Sequence, residues 1–231
     1  MGGLLKRAIG QGILFGLMLA CQPADTIVND DSQYVPIEVG RYWVYEVQQE
    51  TYSLSASPVF STYFLKETVG ERLSSQTAKT YKLIRYKRSK STDAWKSDSI
   101  WTLQQLPNSL IRTENSIAFI KLFFPVAIST TWNPNEYNSL PATTFRYEQV
   151  GKAYMAGKES YPNTIQVVSK QNDSTAISLN RYVDVYAYQT GLIFKESAVL
   201  AYCQSSPDCI GKGLIAYGYR RKQLLIETGV E

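Results

Sequence analysis

The sequence of 231 residues contains no histidine. Histidine is the commonest general base near neutral pH and the commonest metal ligand, so the usual builder of catalytic and metal sites is missing. No G-x-S-x-G, H-E-x-x-H, phosphate loop or dinucleotide fingerprint is present either. No unbroken apolar run reaches the roughly 20 residues that a membrane-spanning helix needs. Charge of one sign is not in excess. The formal balance is +4, and it falls to +2 once Lys6 and Arg7 near the N-terminus are set aside. That surplus is too small to point to nucleic acid. Cysteine is limited to three residues. These absences lead to the expectation of a non-enzymatic chain with no catalytic residues, no metal and no cofactor.

What is present is aromatic and globular. Hydrophobic residues make up 44% and charged residues 19%, with 17 Tyr, 8 Phe and 4 Trp. This is the composition of a packed domain and not of a disordered one. Aromatic and β-branched residues favour pleated, half-buried surfaces. Tyrosine adds a polar tip that suits sheet edges and wet concave faces.

The N-terminus carries an address. Lys6-Arg7 precede a mostly apolar stretch, Ala8 to Ala20, broken by Gly10, Gln11, Gly12 and Gly16. Its length fits the h-region of an export signal. It closes on Leu17-Met18-Leu19-Ala20-Cys21, which resembles a bacterial lipobox. The resemblance implies cleavage before Cys21, acylation of its thiol and a membrane anchor; palmitate is the expected chain class. Met18-Leu19 depart from the more usual Leu-Ala or Leu-Ser pair. Gln22 follows the cysteine, and the aspartate that retains such proteins in an inner membrane is absent. The expected location is therefore the cell envelope, at the outer membrane. Residues 22–36 are polar, with Pro23, Asp25, Asn29, Asp30, Asp31, Ser32 and Gln33. The expected organisation is a signal peptide over 1–20, an acylated flexible tether over 21–36 and one β-rich domain over 37–231.

Within that domain, Trp43, Tyr45 and Val47 fall on one face of a run whose other face carries Glu46, Gln48 and Glu50. Alternation of this kind predicts a half-buried strand. Further strands are predicted over 60–69, 80–88, 95–103, 117–124, 143–150, 164–169, 181–188, 192–202, 213–221 and 224–228. Breakers such as Gly70, Pro107-Asn108, Pro134-Asn135, Pro162-Asn163 and Gly191 separate them. The one candidate helix is short, over 109–119. The expected fold is mostly β: an antiparallel sheet curled into a barrel, half-barrel or sandwich.

Three short stretches resemble uncharacterised Bacteroidetes-type β-rich lipoproteins. They are Tyr34-Val35-Pro36-Ile37-Glu38-Val39-Gly40-Arg41-Tyr42-Trp43-Val44-Tyr45, Trp132 to Asn138, and Tyr186 to Glu196. The first carries a G-x-x-W-x-Y pattern and the third a Y-A-x-x-x-G-L-x-x-x-E pattern. The resemblance implies a β-rich envelope domain and no known activity.

Several residues are candidate sites. Cys203 and Cys209 bracket Gln-Ser-Ser-Pro-Asp. With Cys21 acylated, two thiols remain in an oxidising compartment, which predicts a disulfide; a metal or redox pair finds no further soft ligand nearby. Lys79, Lys82, Arg85, Lys87, Arg88 and Lys90 form a basic cluster. It reads either as a solvated edge strand or as a surface for anionic lipid headgroups. Trp95, Trp101 and Trp132, with Tyr137, are candidate ligand-binding residues that would stack on sugar rings; equally, such aromatics plug the end of a core. The leading expectation is a lipid-anchored binding or structural domain for a lipid-like ligand or a protein partner. The alternatives are a carbohydrate-binding lipoprotein of a glycan-uptake system and a hydrolase using a carboxylate pair. The scattered acids Glu46, Glu50, Glu67, Glu71, Asp93, Asp98, Glu148, Asp184 and Glu196 leave the last open.

Overall fold

The alternation around Trp43 sets the architecture. Trp43, Tyr45 and Val47 are buried on one face, while on the other Gln48 is exposed, Glu46 half-exposed and Val44 covered. The computed structural model describes residues 2, 30–54, 56–73 and 79–231. The signal segment apart from Gly2, the lipidation candidate Cys21 and residues 22–29 lie outside the described residues.

Thirteen strands follow a short 3-10 turn, Asp31–Tyr34. They are β1 (Arg41–Ser53), β2 (Ala56–Leu73), β3 (Lys79–Arg88), β4 (Lys96–Leu106), β5 (Ser109–Glu114), β6 (Ile117–Phe123), β7 (Thr131–Trp132), β8 (Phe145–Ala156), β9 (Glu159–Ser169), β10 (Asp173–Ser174), β11 (Ser178–Ala187), β12 (Gly191–Tyr202) and β13 (Ile215–Val230). All belong to one antiparallel sheet of order β6-β5-β4-β3-β2-β1-β13-β12-β11-β9-β8-β7, with β10 paired to β11. The mostly β expectation therefore holds, in its nearly closed barrel form. β1 sits mid-sheet, with β2 on one side and β13, the last strand, on the other.

Closure does not come from a long ladder. The two edge elements, β6 and β7, meet through loops and side chains. Ile120 N–H donates to the Pro134 carbonyl at 3.0 Å. Trp132 Nε1 donates to the Ile120 carbonyl at 3.0 Å, and Asn138 Nδ2 to the Ala118 carbonyl at 2.7 Å. Tyr147 Oη accepts from Phe123 N–H and donates to the Phe123 carbonyl, both at 2.9 Å. Edge groups of β6 that would otherwise template further pairing are thereby used.

Four expectations change. The candidate helix over 109–119 is instead the β5–β6 hairpin. Asn115 and Ser116 turn it with φ of 48° and 68°, the left-handed pair that a two-residue turn between twisted strands requires. The two strands expected over 213–221 and 224–228 are one, β13. β3 is not an edge strand; it pairs with β2 and β4. The end of the expected tether belongs to the fold. Tyr34 is buried, its ring lies edge-on to Tyr188 at 5.4 Å and its hydroxyl donates to Asn163 Oδ1 at 2.8 Å. Asp31 Oδ2 accepts from Val126 N–H at 2.7 Å. The chain thus arrives at the end of the barrel where β1 begins.

Two glycines are fixed by close approach. Gly191, with φ of +107°, would place a Cβ 2.6 Å from Trp43 Nε1, which itself donates to the Thr190 carbonyl at 2.6 Å. Gly218, with φ of +126°, would place one 2.0 Å from the Val199 carbonyl oxygen. At the end of the barrel opposite the arriving chain, Cys203 and Cys209 form a disulfide between β12 and β13.

Candidate functional site

The barrel interior is apolar over most of its height, with Leu65, Val69, Leu83, Leu103, Leu110, Ile165, Val167 and Ile193 buried together. Charge is set into it. Glu67 follows the inward phase of Leu65 and Val69 and is 1% exposed. It accepts from Arg85 Nε at 3.0 Å and from Arg112 Nη2 at 2.5 Å. Arg85 also reaches Asp98 at 2.9 Å. Glu114 pairs with Lys121 at 2.7 Å and with Arg112 at 3.4 Å. Across the barrel Asp184, 2% exposed, accepts from the Tyr182 hydroxyl at 2.6 Å and lies 3.4 Å from Lys195 Nζ. The Trp101 ring is sandwiched by guanidiniums, with Arg85 at 3.6 Å and Arg112 at 4.6 Å from its centroid.

Within this network Glu114 and Lys121 face each other across a buried contact. Burial pushes the Glu114 carboxyl up, but Lys121, Arg112 and Lys195 together outweigh it and hold it below the ordinary carboxylate range. Burial lowers Lys121, with Glu114 opposing. Burial raises the hydroxyls of Tyr45, Tyr182 and Tyr186 well above the usual tyrosine value, and the charges of Glu67 or Asp184 add to it. A general acid poised near pH 7 needs the opposite arrangement, a carboxyl raised toward neutrality. The cavity inside this network measures about 30 Å³ and is lined by Tyr45, Glu67, Arg112, Lys121 and Tyr186 among apolar neighbours. It accommodates water-sized occupants, whereas small-molecule pockets run to roughly 300–1,000 Å³.

A second feature lies where β2 extends past β3. The β1–β2 ladder runs out to Val59 and Ala56, whereas the β2–β3 ladder starts only at Phe64. Residues 56–63 therefore have one edge without a paired strand among the described residues. They carry no charge, and Val59 and Phe60 are 62% and 68% exposed. Four cations stand at the inner end of this edge. Lys87 Nζ sits 3.8 Å over the Tyr63 ring, and the Arg88 guanidinium sits 4.1 Å over Trp95 and 5.5 Å over Phe64. Lys90 and Lys96 are exposed beside them. Among the described residues none of the four pairs with a carboxylate, and Arg88 Nε, shielded from solvent, has no hydrogen-bond acceptor.

The candidate stacking aromatics do not converge. Trp132 is 7% exposed and closes the seam, packed on Tyr147 at 4.8 Å and Phe145 at 6.1 Å. It plugs the core and offers no face to a sugar. Trp101 is covered by its two arginines and Trp95 by Arg88. Tyr137 is 57% exposed in the loop after β7. The basic cluster also divides. Arg85 enters the interior, Lys82 pairs with Glu71 at 2.5 Å, and Lys87, Arg88 and Lys90 gather at the free edge. The interior network was legible in part, since Glu67 breaks an apolar phase. Its partners Arg112, Lys121 and Lys195 have no such signal in sequence.

No family model and no curated protein matches the chain. Two solved structures are similar to it. One is a proposed lipoprotein of Parabacteroides distasonis, 8% identical, covering 85% of this chain and 98% of its own, with a TM-score of 0.44. The other is a proposed exported protein with a YmcC-like fold from Bacteroides fragilis, 5% identical, covering 84% and 98%, with a TM-score of 0.42.

Proposed function

We propose that this protein is a lipid-anchored lipoprotein of the cell envelope, at the outer membrane, whose β domain docks a protein partner and carries out no catalysis. The observation that carries the binding reading is the filled interior. A cavity of about 30 Å³ inside a network of paired charges suits a rigid scaffold. That interior has room for neither an acyl chain nor a drug-sized substrate, and the two larger hollows, of about 510 and 540 Å³, are open depressions around Pro107 and around Asn172. A domain built this way does its work on its outer surface. The anchor reading rests on the segment ending at Cys21. One acyl chain binds a bilayer only marginally, so two or more are required for stable anchoring.

The test is metabolic labelling of producing cells with an alkyne analogue of palmitate, followed by membrane fractionation and by lipid extraction of the purified protein. The wild type is expected to be labelled, to fractionate with the envelope and to yield no stoichiometric ligand beyond its own anchor. Cys21→Ser is expected to lose the label. An unlabelled wild type would overturn the anchor, and a stoichiometric extracted lipid would overturn the partner-docking reading in favour of a carrier.

A further inference from the structure

We infer that the free edge of β2, residues 56–63, is a strand-addition site for an extended peptide that is apolar along its length and acidic at its N-terminal end. The inference rests on the partner-docking reading and names where and how the partner binds. Its first support is the edge itself. An unpaired strand edge is a row of donors and acceptors that another chain can complete. Natural sheets blunt such edges with charge, bulges or cover. Residues 56–63 have no charge, no cover among the described residues and two exposed apolar side chains, Val59 and Phe60. The edge's blunting elements, Pro58 and the register shift opposite Thr51 and Ser53, lie toward the hairpin tip and leave 59–63 regular.

The second support is independent of the first. Lys87, Arg88, Lys90 and Lys96 gather at the point where β3 leaves β2, and none has a carboxylate partner among the described residues. The interior cations Arg85, Arg112, Lys121 and Lys195 are each paired. Arg88 lies against Trp95 and near Phe64, with Nε lacking an acceptor among the described residues. The corner therefore presents positive charge that no carboxylate among the described residues neutralises, although Lys87 and Arg88 rest on aromatic rings.

The two features fix a direction. Every pairing in the sheet is antiparallel. A strand added antiparallel to β2 starts beside Phe64 and runs toward the hairpin tip at Ser53 and Leu54. Its first residues fall at the cations and its later ones beside Phe60 and Val59. An anionic bilayer would also meet the four cations, but it has no use for a strand edge. The edge also runs away from the end of the barrel where Asp31–Tyr34 brings in the chain. β1 spans about 40 Å at roughly 3.3 Å per residue, so the hairpin tip stands well off the tether.

The probe is a fluorescein-labelled synthetic peptide with three glutamates followed by alternating Val and Thr, with a three-lysine version as its counterpart. The full chain is used in detergent micelles, and in nanodiscs of phosphatidylcholine with or without phosphatidylglycerol. Expected are at least tenfold tighter binding of the glutamate peptide and at least tenfold slower amide exchange at 56–63 when it is bound. Lys87→Glu with Lys90→Glu should reverse the preference between the two peptides, and Val59→Lys should weaken both. Circular dichroism checks the fold of each variant. Equal binding of both peptides, or unchanged exchange at 56–63, overturns the proposal. Protection of 87–96 appearing only in phosphatidylglycerol nanodiscs overturns it in favour of a membrane surface. Protection of 56–63 that rises with protein concentration in the absence of peptide overturns it in favour of self-association. Palmitate labelling and the lipid extraction are unaffected by any of these results, so the broader reading fails or stands separately.

Discussion

Glu67 shows how the interior tolerates charge. It receives two guanidiniums in a space where an isolated carboxylate would be costly. Buried pairs of this kind add little net stability over an apolar replacement, but removing one partner leaves the other uncompensated. Glu67→Gln is therefore expected to destabilise the fold by about 3 kcal/mol, read as a lowered urea midpoint at an unchanged slope. An unchanged midpoint would mean that water already solvates Arg85 and Arg112. The sequence shows one side of this arrangement. Glu67 lies in phase with Leu65 and Val69, so its inward direction is legible. The identity of its partners is not, because Arg112 arrives from three strands away and its position depends on register.

At the scale of elements, the seam between β6 and β7 holds the barrel shut with few backbone bonds and one large ring. Trp132 contributes both a donor to Ile120 and contacts to Phe145 and Tyr147. Trp132→Ala is expected to cost about 3–5 kcal/mol. Amide exchange in β6 should accelerate more than exchange in β1 or β13, which lie mid-sheet. Uniform acceleration would show that the seam is no separate unit. Element existence was largely readable, as in β1, where Trp43, Tyr45 and Val47 share the inward face. The β5–β6 hairpin was not. Asn-Ser is a weaker turn signal than Asn-Gly, and the apolar residues on either side of it mimic helical spacing. β13 read as two strands because Arg220, Arg221 and Lys222 interrupt its alternation. The partner strands β1 and β12 carry it through.

For the whole molecule, the desolvated hydroxyls of three tyrosines link the fold to alkaline pH. Tyr45, Tyr182 and Tyr186 keep their protons in the folded chain above the pH at which the unfolded chain gives them up. The unfolded value is about 10. Their contribution is fully present below that pH and is lost as pH rises past it, at up to about 4 kcal/mol per pH unit for three groups. Absorbance at 295 nm should show a late group of tyrosines ionising together with the loss of circular dichroism. A smooth titration of every tyrosine in a still-folded chain would contradict it.

The manner of closure has a mechanical consequence. A fully laddered cylinder resists opening along every strand pair alike, whereas this one is buttoned by an indole, a phenol and an asparagine. Strain on the wall would release those fastenings first, and the wall would unroll as an open sheet with β1 still at its middle.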